Sequence, residues 1–210
     1  MIQYDDRDLP KHSIGLATLR ERNERLSTQH PNFTYSFYTE SELPPWWVKV
    51  QLVKDKLTTI PEGDYVLWLD TDACIGKYDE LYDLIVKTVM TISGQQKGVG
   101  YAGVFNAGVW SIKNCDVGKA IMEFWISKYY PEFFCKDESG NWSWDWNVYK
   151  FAGWTFEQGS FVENVYDKFK EHINNVCWTL INNNWAHMEA LVHHFPGSFK
   201  DVELVKYLES

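Results

Sequence analysis

The chain has 210 residues, which is enough for one large domain or two small ones with a substantial core. Hydrophobic residues make up 45% and charged residues 23%, the balance of a soluble globular protein. The net charge of −9 argues against a nucleic-acid-binding protein, because such proteins usually carry a basic face.

The first half of the chain alternates predicted strands and helices. In chain order these are a strand at Met1–Tyr4, a helix at Ser13–Ser27, a strand at Phe33–Tyr38, a helix at Trp46–Thr59, a strand at Tyr65–Leu69 and a helix at Asp79–Ile92. The run Tyr65–Leu69 is apolar throughout, as expected of a strand buried on both faces of a parallel sheet. This alternation predicts an α/β fold with a mostly parallel central sheet flanked by helices.

The second half is less regular. Its predicted elements are two short apolar runs in Val99–Ile112, a helix at Val117–Tyr130, a Trp-rich loop at Pro131–Gly153, a helix at Gly159–Lys170, an apolar segment at Leu191–Phe195 and a final short helix. No run of 18 apolar residues and no charged-then-apolar leader is visible, so we expect a soluble, cytoplasmic protein without a membrane span.

Two acidic residues follow the central apolar strand, at Asp70 and Asp72. Ligands of open α/β sheets bind at the carboxyl ends of strands. If the chain stays extended there, side chains two residues apart point the same way, and two adjacent carboxylates beside a buried strand are costly without a cation. The pattern favours a divalent-metal site. It leaves open two solvated loop acids, or one acid that caps the following helix.

A phosphatase of the haloacid-dehalogenase type also carries an apolar strand that ends in D-x-D. Its pattern continues to a Thr two residues later, where this chain has Cys74. A phosphatase of this kind, with Asp70 as the nucleophile, therefore stays as an alternative.

Four short motifs occur in one order along the chain. They are Asp70-Thr71-Asp72 after the apolar strand, Phe105-Asn106-Ala107-Gly108-Val109, Glu157-Gln158-Gly159, and His194-Phe195-Pro196-Gly197 followed by Lys200. Together they resemble the GT-A glycosyltransferases, and within these the retaining branch of glycogenin-like and galactosyl-, mannosyl- and xylosyltransferases. The resemblance spans roughly residues 46–200. The whole chain is also similar to chlorovirus glycosyltransferase domains that decorate a capsid protein.

The resemblance implies one GT-A domain over residues 1–210, with a nucleotide-sugar-binding half (1–112) and an acceptor-side half (113–210). Asp70, Asp72 and His194 would bind Mn²⁺ or Mg²⁺, which bridges the donor diphosphate, and an imidazole ligand favours Mn²⁺. The neighbouring His193 stays open as the alternative ligand.

The resemblance also implies contacts to a UDP-sugar donor. The nucleotide and diphosphate contacts would be Tyr4, Asp5, Asp6, Arg7, Lys49, Thr71, Gly197 and Lys200, and the donor-sugar contacts would be Asn106, Ala107 and Gly108. For Lys49 alone, the pattern favours an exposed helical lysine over a diphosphate contact.

Gln158 and Glu157 would be the catalytic pair near the anomeric carbon of the donor. In a front-face route with retention, Gln158 offers a carbonyl dipole to the developing cation. In a double displacement, Glu157 is the nearest candidate nucleophile. The sequence leaves both routes open.

The chain contains 11 Trp, and four of them cluster in the Trp-rich loop region: Trp142, Trp144, Trp146 and Trp154. Indole rings combine a flat apolar face with a polar edge, which suits stacking on sugars. These residues are candidates for binding a glycan or glycoprotein acceptor. Aromatic anchors that pin a loop to the core are the alternative for this cluster, and a non-catalytic sugar-binding module is the alternative for the whole chain.

Overall fold

The computed structural model describes residues 1–7, 13–94, 105–145, 150–197 and 199–210. The strands are β1 (Ile2–Tyr4), β2 (Ser36–Tyr38), β3 (Tyr65–Leu69), β4 (Ala73–Ile75), β5 (Met90–Ser93), β6 (Asn106–Lys113), β7 (Phe134–Lys136), β8 (Trp142–Trp144), β9 (Ile173–Val176) and β10 (Val192–His194). The helices are α1 (Ile14–Gln29), α2 (Pro45–Leu57), α3 (Tyr78–Ile85), α4 (Asp116–Ile126), α5 (Glu157–Ser160), α6 (Tyr166–Phe169), α7 (Trp178–Ile181) and α8 (Phe199–Glu209). A π-helical turn at Phe161–Val165 joins α5 to α6, and 3-10 turns lie at Pro131–Phe133 and Lys170–His172.

A six-stranded sheet in the order β2-β1-β3-β6-β5-β9 forms the centre of the fold. Strand β6 is antiparallel to both of its neighbours, and the other five strands share one direction. The carboxyl ends of β1 and β3 and the amino end of β6 therefore meet at one edge, where the pair Leu69 and Val109 closes the ladder. The predicted α/β fold with a mostly parallel sheet is confirmed.

Much of the aromatic content serves the core, and two buried indoles, Trp47 and Trp125, also bond to the segment around the start of α5. Trp47 donates from Nε1 to the carbonyl of Thr155 at 2.9 Å, and Trp125 donates to the carbonyl of Glu157 at 3.0 Å. Both rings are fully buried, because each N–H has a partner that compensates for its removal from water. The core thereby fixes the segment that enters α5.

A second, two-stranded sheet brings the last part of the chain to the aspartate segment. Strand β10 pairs antiparallel with β4, which places His194 opposite Ala73, and the backbone N–H of Phe195 donates to the carbonyl of Asp72 at 2.9 Å. On the other side of β4, the fully buried Asn23 of α1 donates to the carbonyl of Ala73 and accepts from the N–H of Ile75.

One predicted helix was wrong in its second half. The helix expected over Asp79–Ile92 ends at Ile85, and Met90–Ser93 forms the buried strand β5 instead. The run Met-Thr-Ile-Ser is rich in β-branched residues, which pack well on a sheet between two neighbouring strands. The loop predicted over Pro131–Gly153 likewise contains the hairpin of β7 and β8. None of the helices in the described ranges is long and apolar enough to cross a membrane.

Candidate active site

The segment that follows β3 is a turn rather than an extended chain. The N–H of Ala73 donates to the carbonyl of Asp70 at 2.9 Å, and Asp70 itself is tied to β6 by a bond from its N–H to the carbonyl of Gly108 at 2.8 Å. Buried Gln3 of β1 donates to the same Asp70 carbonyl at 3.0 Å. The two aspartates therefore converge because the turn curves around a third residue, and not because alternate side chains share a face.

That third residue is His194. Its Nε2 lies 3.0 Å from Oδ1 of Asp72 and 4.0 Å from Oδ2 of Asp70. One ligand atom from each of the three side chains lies within 4.8 Å of the others. The neighbouring His193 points to the opposite side of β10, where its ring packs 4.6 Å from Tyr207. Of the two histidines, the structure brings only His194 to the aspartates.

The donor atoms fit a divalent cation. Oδ1 of Asp70 accepts from Nζ of Lys49 at 2.9 Å and from Nε1 of Trp68 at 2.8 Å, so Oδ2 is the oxygen that faces His194. Nδ1 of His194 lies 2.5 Å from the side-chain oxygen of Asn182. A proton on Nδ1 leaves the lone pair of Nε2 directed at carboxylate oxygens, an arrangement that a cation between them would relieve. Two carboxylate oxygens and an imidazole nitrogen are common ligands of divalent metal ions in proteins.

Lys49 is buried and not exposed, so the exposed interpretation of this lysine was wrong. Its Nζ lies 2.9 Å from Asp70, 3.4 Å from Oε1 of Glu157 and 3.2 Å from the carbonyl of Ala107. Burial lowers the pKa of Lys49, but Asp70 and Glu157 outweigh it, so the pKa lies above its ordinary value. Lys49 therefore stays charged and holds two carboxylates near each other.

Glu157 is the second carboxylate that Lys49 holds, and it is almost fully buried. Burial raises the pKa of Glu157, Lys49 opposes that shift, and the charge of Asp70 adds to it, so the pKa lies above its ordinary value. A buried carboxylate near a cavity with a raised pKa is a feature of many functional sites.

Two adjoining cavities meet at this cluster. One, of about 360 Å³, is lined by residues that include Tyr4, Asp6, Arg7, Asp72 and Lys200. The second has a volume of about 240 Å³. Its walls include Asn106, Ala107, Gly108, Glu157, Gln158 and His194. Trp46, Lys49, Asp70 and Asp72 line both cavities.

The polar residues at the end of β1 are arranged around Asp5. Its carboxylate accepts from Nε and Nη2 of Arg7 and, at 2.9 Å, from the hydroxyl of Thr71. Burial raises the pKa of Asp5, but the bonds from Arg7 and Thr71 outweigh burial and hold it below its ordinary value. Asp5 thus fixes the shape of the cavity wall, because its oxygens are already engaged within the protein.

Comparison with known proteins places this geometry in context. No protein-family model matches the chain. An α-1,2-galactosyltransferase of Schizosaccharomyces pombe is 24% identical over 163 residues, which cover 60% of this chain and 43% of the relative. An uncharacterised α-1,2-galactosyltransferase of the same organism is 23% identical over 150 residues, 53% of this chain and 40% of the relative. The chain thus spans about two fifths of the length of these relatives.

The folds of solved structures superpose on this chain over nearly its whole length. A glycosyltransferase involved in glycosylation of the major capsid of PBCV-1 superposes with a TM-score of 0.66 at 15% identity, covering 100% of this chain and 99% of the other. The galactosyltransferase LgtC, in complex with donor and acceptor sugar analogs, gives 0.50 at 17% identity, with 99% and 94% covered. The chain has the GT-A glycosyltransferase fold. The sequence resemblance to this fold is therefore confirmed.

Within the GT-A fold, Gly108 is the point where β6 approaches His194. A Cβ atom built on Gly108 would lie 2.1 Å from Cε1 and 2.7 Å from Nδ1 of the imidazole. The neighbouring Ala107 donates from its N–H to Oε1 of Gln158 at 3.2 Å, and Asn106 accepts from the N–H of Gly108 at 2.8 Å. Glycine at position 108 makes room for the histidine ring.

We expect Gly108→Ala to displace His194 and to abolish cation binding at the aspartates. Overpacking of this kind costs about 1–3 kcal/mol of stability, so the melting temperature should fall as well. Mn²⁺ binding in the presence of UDP and thermal melting are measured on the same protein. Gly63→Ala is the control, because Gly63 has φ +93° and lies at the other end of β3 with open space around it. It should lower stability and leave Mn²⁺ binding unchanged, and a Gly108→Ala protein with normal Mn²⁺ affinity would contradict the expectation.

The tryptophans of the acceptor prediction lie in different surroundings. Trp144 packs edge-on against Trp46 at 4.9 Å and against Phe156 at 5.1 Å, and is half-buried. Trp142 is half-buried as well, and Trp154 is exposed. Trp146 lies outside the described residues.

Sequence reasoning missed three residues of the site. Trp46 was noted only as the start of a helix, although it lines both cavities. Gln3 and Asn182 gave no motif at all, and they contact Asp70 and His194 across 67 and 12 positions of sequence. The burial of Lys49 had a signal, because it shares a helical face with Val53 and Leu57 at positions i+4 and i+8.

Proposed function

We propose that this protein transfers a hexose or deoxyhexose from a UDP-sugar to a hydroxyl of a glycan or glycoprotein. The observation that carries the proposal is the Asp70, Asp72 and His194 cluster at the junction of two cavities, in a chain with the GT-A fold. The cavity that reaches Tyr4 would hold the nucleotide, and the smaller one beside Gln158 would hold the sugar. The relatives named for galactosyl transfer and for capsid glycosylation support a glycan or capsid-glycoprotein acceptor.

The metal ligands come from both halves of the chain, which supports one domain with a shared site. Asp70, Asp72 and His194 would hold Mn²⁺ or Mg²⁺, and the cation when bound would stabilise negative charge on the leaving diphosphate. The cluster already contains two lysines beside its carboxylates. A dication and a diphosphate add opposite charges to it, so we expect each to bind more tightly when the other is present.

Lys200 and Lys49 would have different tasks. Lys200 pairs with Oδ2 of Asp72 at 2.9 Å and is about one third exposed, so it has freedom to turn toward a phosphate oxygen. Lys49 is held by Asp70 and Glu157 in the interior and would keep both in place as the diphosphate binds. Gly197, with φ +58°, would let the backbone pass close to the diphosphate.

Gln158 and Glu157 would face the anomeric carbon from the far wall of the smaller cavity. We propose retention by a front-face route, in which the Gln158 carbonyl oxygen stabilises positive charge on the sugar ring. The charge on Glu157, already paired with Lys49, would add to that stabilisation from behind. In the alternative double displacement, Glu157 would have to leave Lys49 and bond to the anomeric carbon.

The test is UDP release from a panel of UDP-sugars, with and without Mn²⁺, and with and without candidate acceptor glycans. UDP-glucose, UDP-galactose, UDP-xylose and UDP-rhamnose form the panel. We expect Mn²⁺-dependent release from one donor and faster release with acceptor. A non-catalytic sugar-binding module would bind donors and release no UDP, and a phosphatase would release phosphate from a phosphate ester with no preference for nucleotides. Either result would overturn the proposal.

For the acceptor we propose that Trp154 offers a stacking surface and that Trp144 acts as an anchor. Trp144→Ala should then lower the melting temperature and leave specific activity per folded molecule near normal. Trp154→Ala should keep the melting temperature and raise KM for the acceptor about tenfold, since loss of an aromatic contact of about 1–1.5 kcal/mol corresponds to that factor. Equal KM values in Trp154→Ala and wild type would remove Trp154 from the acceptor site.

A further inference from the structure

Three consecutive asparagines, Asn182, Asn183 and Asn184, follow α7, and all three are buried, with 4%, 0% and 8% exposure. Asparagine usually lies at the surface, and buried polar groups need hydrogen-bond partners. Each of the three has one hydrogen-bond partner on His194, and the side chain of Asn183 bonds in addition to Trp185 and Met188. The GT-A fold and the motifs along the chain leave the purpose of this run open.

Two of the asparagines hold the backbone of His194. The carbonyl of Asn183 accepts from the N–H of His194 at 2.9 Å. The amide nitrogen of Asn184, assigned by its two acceptor neighbours, donates to the carbonyls of Asn182 and His194 at 3.0 and 2.9 Å. The backbone of β10 and the asparagine run are thus locked together at the position of the ring.

Asn182 holds the ring itself. Its side-chain oxygen lies 2.5 Å from Nδ1 of His194, and the ring is 3% exposed. Nε2, at the other side of the ring, is the atom that faces Asp70 and Asp72. Gly108 lies against the same ring, so the imidazole is fixed by a hydrogen bond and by contact with β6.

We propose that Asn182 is a positioning residue that keeps the proton of His194 on Nδ1 and the lone pair of Nε2 directed at the cation site. The inference rests on the proposed metal-dependent function. Histidine ligands in metal sites commonly donate their second N–H to a carbonyl or carboxylate, and loss of that acceptor typically costs 10–100-fold in metal affinity. Asn182 is the residue that offers such an acceptor to His194.

The test compares Asn182→Leu, Asn182→Asp and wild type, because Leu keeps the size and removes the acceptor, whereas Asp keeps an acceptor oxygen. Mn²⁺ affinity is measured by electron paramagnetic resonance of free Mn²⁺ at saturating UDP. We expect Asn182→Leu to bind Mn²⁺ about 10–100-fold more weakly and Asn182→Asp to stay within about threefold of wild type, allowing for the added charge. ¹⁵N NMR of the histidine rings in the Mg²⁺–UDP complex should show His194 protonated at Nδ1 in wild type.

The outcomes separate this inference from the proposed function. If the wild-type protein binds no divalent cation in the presence of UDP, the metal-dependent function is overturned, and so is the role of Asn182. If the wild-type protein binds the cation and Asn182→Leu binds it with the same affinity, only the role of Asn182 is overturned. Equal losses in the Leu and Asp variants would mean a structural role only. If Asn182→Leu fails to fold, a wild-type ring protonated at Nε2 in the complex would still overturn the inference.

Discussion

Asp72→Asn is expected to weaken Mn²⁺-dependent UDP binding at least about 100-fold, more than loss of a residue that only supports a ligand. Asp72 places Oδ1 3.0 Å from Nε2 of His194 and Oδ2 2.9 Å from Nζ of Lys200. An amide has nearly the same shape and no negative charge, so the site would lose one of the two aspartates proposed as ligands and keep both lysines. Calorimetric titration of UDP with and without Mn²⁺ is the measurement.

The control for this variant is Asp79→Asn in the first turn of α3, where the carboxylate is 91% exposed and outside both cavities. It should bind UDP and Mn²⁺ as wild type does. If Asp72→Asn keeps the full Mn²⁺ dependence of UDP binding, Asp72 is not a ligand. Weak UDP binding that is equal with and without Mn²⁺ is the result that supports the proposal.

The same carboxylate should give stability a dependence on pH. Burial raises the pKa of Asp72. In the protein without a cation, a protonated Nε2 of His194 and the ammonium of Lys200 outweigh burial and hold the pKa below its ordinary value of 3.8. A lowered pKa in the folded state contributes stability that is fully present above the unfolded pKa and is lost as the pH falls through the folded pKa. The melting temperatures of wild type and Asp72→Asn should therefore differ near neutral pH. The difference should begin to shrink only below about pH 4 and continue to shrink as the pH falls toward the lower pKa of the folded state.

How far the sequence predicts this site depends on how local its signals are. The apolar run Tyr65–Leu69 followed by two aspartates is a local pattern, and it located the buried strand and the turn after it. His194 was predicted as a ligand only because the motif His194-Phe195-Pro196-Gly197 resembles the GT-A glycosyltransferases. Burial alone could not have selected it over His193, because both histidines of β10 are buried.

Other contacts have no local pattern at all. Asn182 contacts His194 because a β-bridge joins Asn183 to His193, and Gln3 contacts Asp70 because β1 pairs with β3. Strand β5 was missed for a related reason, since Met90–Ser93 is a short apolar run whose neighbours β6 and β9 decide its conformation. Tertiary packing overrides the helical continuation that the preceding residues suggest.

Glu157 and Gln158 lie between these two cases. They are adjacent at the start of a predicted helix, where an acidic residue is a common choice for any helix. The structure turns Glu157 inward to Lys49, and it turns Gln158 toward the backbone of β6 at Ala107. A helix-start role would leave the carboxylate of Glu157 in water, so its burial is the feature that favours a role in chemistry.

Gln158→Ala is expected to lower kcat about 100-fold while the Kd for UDP stays within about twofold, because its oxygen would act on charge that develops only in the transition state. The nucleotide would occupy the cavity lined by Tyr4, whereas Gln158 lines the smaller cavity, so removal of Gln158 should leave the nucleotide contacts intact. Steady-state kinetics gives kcat, and calorimetry with Mn²⁺ gives the Kd for UDP. Equal losses in kcat and UDP affinity would instead indicate that the cavity wall has collapsed.

The variant also removes the acceptor for the N–H of Ala107, so a matched replacement is needed. Gln158→Glu keeps an oxygen at that position and should keep the melting temperature of wild type if that bond alone matters for stability. Proton NMR of the first-formed glycoside, from a donor of defined anomer, should show retention in wild type and in any variant with residual activity. An inverted product would require a base for the acceptor hydroxyl. It would move that role to Glu157, whose raised pKa suits proton transfer better than that of an exposed carboxylate.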